Sequence, residues 1–148
     1  MVNFKKIDFD DMFDFNCGGF ALGTLTWVEF EKYYYKGFHN RKPEKIRRRM
    51  GKVTMLCVEE MLQRFPNLRI LRNVDEKKSW EEIFLFRLSS DGDFHFLLKH
   101  GNVYYHKKGE TPRIDKIPEH EAFDIWCSRY DGPIVIFAKP KCRLIDRE

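Results

Sequence analysis

Between residues 83 and 107 the chain alternates short apolar runs with tight-turn residues, and this stretch limits the fold more than any other. Ile83 to Leu88, Phe94 to Lys99 and Val103 to Lys107 have strand length and are rich in aromatic and branched side chains. Ser89-Ser90-Asp91-Gly92 and Gly101-Asn102 separate them. Connections this short join antiparallel neighbours, because a parallel crossover needs roughly a dozen residues or more. Leu68 to Leu71 and Ile134 to Ala138, the latter after Asp131-Gly132-Pro133, read as further strands.

Helical signals come mostly before these strands. From Glu44 to Phe65, the residues Ile46, Met50, Val53, Cys57 and Met61 recur at intervals of three or four and share one helical face, with Pro43 ahead and Pro66 behind. Lys45, Arg48, Lys52, Glu59 and Glu60 fall on the opposite face. A shorter helix is predicted to begin near Cys17 with Asn16 as its cap, and another after Pro118, through Ala122 to Trp126. Helices followed by sequential strands point to an α+β fold, with N-terminal helices packed on an antiparallel sheet. A length of 148 residues without repeat, low-complexity segment or linker is expected to form a single domain over 1–148. With 16% aromatic residues, 14 of them Phe, the core needs neither disulfides nor a structural metal to form.

Charge and patterning narrow the function classes. The 27 basic and 23 acidic side chains leave +4, too little to indicate a nucleic-acid binder by total charge. No apolar run approaches the ~20 residues of a membrane span. The stretch MVNFKKIDFDDMFDF lacks the apolar centre of a secretion signal, so a cytoplasmic location is expected unless export or phage-mediated release delivers the protein elsewhere. Cys17, Cys57, Cys127 and Cys142 form no C-x-x-C pair and are expected as reduced thiols.

A two-residue loop at Gly101-Asn102 would set His100 opposite Val103 and Leu97 opposite His106. His95 shares the face of Leu97, which makes it a diagonal neighbour of His106 at roughly 7–8 Å between backbones. His100 falls on the other face. A loop longer or shorter by one residue would separate His95 from His106. Cys17, at a helix start, is the candidate nucleophile, since first-turn amides stabilise a thiolate and can donate to an oxyanion. Cys57 is expected to pack as a small hydrophobe, and Cys127 and Cys142 have no evident partner.

These residues resemble the NlpC-type cysteine peptidases of the papain-like superfamily. Asn16-Cys17-Gly18-Gly19-Phe20 is similar to the cysteine motif that opens a helix in that family, with Asn and Gly where Asp and Ser are usual. Asp93-Phe94-His95-Phe96 resembles its histidine strand, and Tyr105-His106-Lys107-Lys108-Gly109 the strand that carries the third residue. The resemblance implies a papain-like fold with Cys17 as nucleophile, His95 as general base and acid, and His106 as the residue that orients it. It further implies an oxyanion hole from the amides of Cys17 and Gly18, and amide-bond hydrolysis of a peptide or peptidoglycan-like substrate. No cofactor is implied. A zinc site from Cys17, His95 and His106 is the less favoured chemistry, because the closely spaced ligand pair of zinc motifs is missing.

The main alternative is a non-catalytic binding module. From Arg41 to Lys52 the chain holds seven basic residues and one acidic one, including Arg41, Lys42, Arg47, Arg48 and Arg49, just after Tyr33-Tyr34-Tyr35. Basic groups near aromatics suit a nucleic acid or an acidic partner.

Overall fold

Six strands among the described residues form one antiparallel sheet, laid against helices that precede it in the chain. The computed structural model describes residues 16–24, 43–89, 94–107, 114–121, 130 and 132–141. In chain order these are α1 (Cys17–Leu22), α2 (Pro43–Arg64), β1 (Arg69–Leu71), a 3-10 turn (Val74–Glu76), β2 (Glu81–Leu88), β3 (Phe94–His100), β4 (Val103–Lys107), β5 (Ile114–Pro118) and β6 (Val135–Pro140). The spatial order is β1-β6-β2-β3-β4-β5, so β2 to β5 form a meander and β6 returns to lie between β1 and β2. The architecture is mixed α+β. The helix expected from Ala122 to Trp126 lies outside the described residues, after a helical turn at 119–121.

One strand was not anticipated. β5, with the sequence IDKIP, has too few apolar residues to announce itself, and it sits at the sheet edge. Charged side chains and a terminal proline are how edge strands resist further pairing, so the features that hide β5 in the sequence suit its position.

Both faces of the sheet are buried. Phe84, Phe86, Leu88, Phe96, Leu98 and Phe137 meet the buried residues of α1 and α2, whereas Ile83, Leu85, Leu97, Tyr104, Ile117 and Ala138 form a second cluster with Tyr130. A strand apolar on both sides reads as a continuous run, which is why Ile83 to Phe86 shows no alternation. On the helical side Phe84 stacks on Phe137 with ring centroids 4.9 Å apart, and Phe86 tilts against Phe96 at 4.8 Å. Contacts of this kind add about 0.5–1.5 kcal/mol each beyond the area they bury. In α2, Met50, Val53, Cys57 and Met61 are buried as their spacing requires, with Thr54 and Val58 beside them.

The far edge is tied by an ion pair. Arg69 on β1 reaches past β6 to Glu81 on β2, donating from Nε at 2.9 Å and from Nη2 at 2.7 Å. The same Nη2 donates to the Glu76 carbonyl at 2.8 Å, which pins the 3-10 turn. The Arg69 hydrogen bonds, helped by the Lys78 amide and opposed by burial, lower the Glu81 carboxyl from its ordinary 4.5 to about 2. A depressed carboxylate contributes stability that is present above its unfolded value and lost as pH falls through the folded one. The urea midpoint is therefore expected to fall between pH 4.5 and about 2, and Arg69→Met is expected to lower it at neutral pH and flatten that acid slope.

Candidate active site

The β3–β4 hairpin has the register that a two-residue loop demands. Leu98 pairs with Tyr105, Lys99 with Tyr104 and His100 with Val103, and Gly101 turns the chain at φ +59, a backbone angle that favours glycine. Given that phase, His95 and His106 meet: His95 Nε2 lies 2.7 Å from His106 Nδ1, with the ring planes 83° apart. Both side chains are buried, at 6% and 2% exposure. A contact this short between ring nitrogens needs one proton and one lone pair, so one histidine donates and the other accepts.

Two further groups meet the pair. Tyr130 stacks on the His95 ring at 5.8 Å between centroids, with the planes 21° apart. Its neighbour Gly132 is clamped to the end of β2, donating its amide to the Leu88 carbonyl at 2.9 Å and accepting from Arg87 Nε at 2.5 Å. A Cβ on Gly132 would lie 2.9 Å from both Leu88 O and Met50 Cε, so a glycine is required for this close approach. On the other side, Asp115 pairs with His106 across the β4–β5 ladder and places Oδ2 3.9 Å from His106 Nε2.

Asn16 caps α1 as expected. Its Oδ1 accepts from the Gly19 amide at 3.0 Å and its carbonyl from the Phe20 amide at 3.0 Å. Cys17 is thus the first residue of the helix, and it is buried, at 4% exposure. All six residues of α1 are buried, and the helix packs against β3 and β4, the two histidine strands. Cys17 belongs to the same apolar cluster as Phe96 and Leu98; along β3, His95 alternates with Phe96 and is stacked by Tyr130. α1, which carries Cys17 as its first residue, packs on the two strands that carry His95 and His106.

Cys57 is fully buried in α2, and burial, reinforced by the Glu60 charge, pushes its thiol up to about 12. It is a packed core residue. Cys127, Cys142, Arg41 and Lys42 lie outside the described residues, and Arg47, Arg48 and Arg49 fall on the α2 backbone. Among the described residues, no group of three or more His, Cys, Asp or Glu is arranged to hold a metal ion. No described helix is long and apolar enough to cross a membrane.

A second buried polar cluster lies at the other end of β3, on the helical side. Glu82 Oε1 accepts from Lys139 Nζ, both side chains being nearly inaccessible. His100 Nε2 lies 3.4 Å from Glu82 Oε2, without hydrogen-bond alignment. Burial alone would raise the Glu82 carboxyl, but His100 and Lys139 together hold it below its ordinary value. Beside this cluster, a pocket of about 310 Å³ opens between the ends of α1 and α2, lined by Leu22, Phe65, Leu68 and Lys139 among others and by none of Cys17, His95 or His106.

Of the site residues, the sequence missed Asp115, Tyr130 and Gly132. Asp115 lies on the strand that had no apolar signature. Tyr130 reaches His95, and Gly132 the end of β2, from a segment distant in the chain, although the Asp131-Gly132-Pro133 turn signal marked the place.

Comparison of the chain with models of known families, with curated proteins and with solved structures found no match. The fold class and the site geometry therefore stand by themselves.

Loss of an Asn cap costs about 1 kcal/mol; Asn16→Ala is expected to lower unfolding stability by that order in urea titration. Breaking a buried ion pair from one side costs about 3–5 kcal/mol, while replacing both partners with apolar residues is often close to neutral. Lys139→Met is thus expected to destabilise strongly, and Glu82→Leu combined with Lys139→Met to recover most of the loss.

Proposed function

We propose that this protein is a cysteine-dependent hydrolase of papain-like, NlpC-like type, cleaving amide bonds through a thioester acyl-enzyme. The observation that carries this reading is the buried 2.7 Å contact between His95 and His106 on the two strands that α1 packs against. Pairing two imidazoles away from water is an expensive arrangement for a purely structural role, because a buried polar pair must be fully satisfied. A histidine held by a second polar group is what a thiol nucleophile needs.

In this scheme His95 takes the proton of Cys17, and Sγ attacks the amide carbonyl carbon. The oxyanion is met by the amides of Cys17 and Gly18. As the C–N bond breaks, His95 returns the proton to the leaving amine and then activates the water that hydrolyses the thioester. His106 orients His95 throughout. Peptide amides, with peptidoglycan peptides the class that the resemblance implies, are the proposed substrates.

Thiol labelling tests this directly. An unactivated thiol at 4% exposure reacts slowly, so rapid labelling is diagnostic. Iodoacetamide at neutral pH, read by peptide mass spectrometry, is expected to modify Cys17 well before Cys57, and His95→Ala is expected to slow Cys17 alone. Equal rates at the two thiols, or no effect of His95→Ala, would overturn the reading. Retention on a polyanion column that falls with salt and survives Cys17→Ala would support the binding alternative instead.

A further inference from the structure

The contact between His95 and His106 leaves the direction of the proton open, since either ring can donate. If His106 Nδ1 carries the proton, it donates to His95 Nε2, and neutral His95 then holds its own proton on Nδ1. If His95 Nε2 carries it, His106 Nδ1 accepts, the His106 proton sits on Nε2, and His95 Nδ1 keeps its lone pair. The two arrangements have the same heavy-atom positions but give His95 opposite chemistry on the edge that points away from His106.

Asp115 breaks this symmetry. It stands directly across the ladder from His106, and Oδ2 is 3.9 Å from Nε2, the nitrogen that does not touch His95. A carboxylate facing that nitrogen favours a proton there, and the preference is felt strongly because the His106 ring is only 2% exposed. With the proton on Nε2, Nδ1 of neutral His106 is an acceptor and His95 Nε2 must be the donor. A half-turn of the His95 ring would put Cε1 where Nε2 is and lose the contact, so Nε2 is the nitrogen that faces His106.

We propose that Asp115 is a positioning residue of the site: by holding the His106 proton on Nε2 it makes His95 donate through Nε2 and leaves His95 Nδ1 as the basic nitrogen. The role in catalysis rests on the hydrolase reading, but the direction of the proton does not. In this role Asp115 acts on the site through His106. The order runs Asp115, His106, His95, with each member setting the proton position of the next.

The experiment is long-range ¹H–¹⁵N correlation spectroscopy of the histidine rings, taken up the pH scale until the ring signals stop moving. Wild-type protein is expected to show both His95 and His106 protonated on Nε2. His106 protonated on Nδ1 would overturn the proposal without any variant. Asp115→Ala is expected to shift His106 toward the Nδ1-protonated form, and Asp115→Glu to restore the wild-type pattern. An unchanged pattern in a folded Asp115→Ala protein would also overturn it. In parallel, Cys17 alkylation is expected to slow at least ~10-fold in Asp115→Ala, a small part of the ~10⁴-fold loss that a wrong tautomer causes in a serine triad. Cys57 serves as the internal control. Wild-type tautomers as expected, with labelling of Cys17 indifferent to His95→Ala, would keep the proton order and reject the hydrolase reading.

Discussion

The two-residue turn at Gly101-Asn102 joins β3 to β4, and the phase it imposes decides what each side chain of the hairpin can meet. One residue more or fewer would send His106 to the Phe96 and Leu98 side and leave His95 alone among apolar groups. With the turn as it is, Phe96, Leu98 and Tyr105 face the helices, while His95, Leu97, Tyr104 and His106 face the other way. Gly101 is the residue that lets the chain reverse at a positive φ in so short a space. The geometry of the histidine pair follows from a backbone constraint, not from any affinity between imidazoles.

Burial on both faces gives that phase its consequences. A sheet with one wet face could leave two histidines in water, where their partners would matter little. Here each polar group on the inner surfaces has to find a counterpart or be costly. His95 meets His106 and Tyr130, and His106 meets Asp115. On the helical side Glu82 meets Lys139, with His100 close by. Two buried polar clusters thus occupy opposite faces and opposite ends of β3, one with paired imidazoles and one with an ion pair. The first joins β3, β4 and β5 through His95, His106 and Asp115. The second, beside a pocket lined largely by apolar side chains, ties β6 to β2 in the middle of the sheet.

Segments remote in sequence complete both clusters. The clamp at Gly132, where even a methyl group would collide with Leu88 and Met50, brings Tyr130 over His95. α1 lies across β3 and β4 and carries Cys17 as its first residue, capped by Asn16. The helix covers the face of the sheet that carries Phe96 and Leu98. This is the feature of the arrangement that a sequence pattern could not have disclosed, because alternation tells which neighbours share a face but not which face a distant helix will cover.

The amino-acid sequence by itself determined what is local. The 3.6-residue spacing of Met50, Val53, Cys57 and Met61, the Asn16 cap, the antiparallel meander and the hairpin register that makes His95 a diagonal neighbour of His106 all depend on residues close together in the chain. There, steric limits and side-chain periodicity act without help from the rest of the molecule. Tertiary structure alone decided that a polar edge strand would set Asp115 against His106, that Tyr130 would cover His95, that Lys139 would neutralise Glu82, and that α1, with Cys17 at its start, would pack on β3 and β4. Each of those contacts joins strands or segments whose pairing is chosen by how apolar surface is buried across the whole sheet, a quantity that no short window of sequence contains.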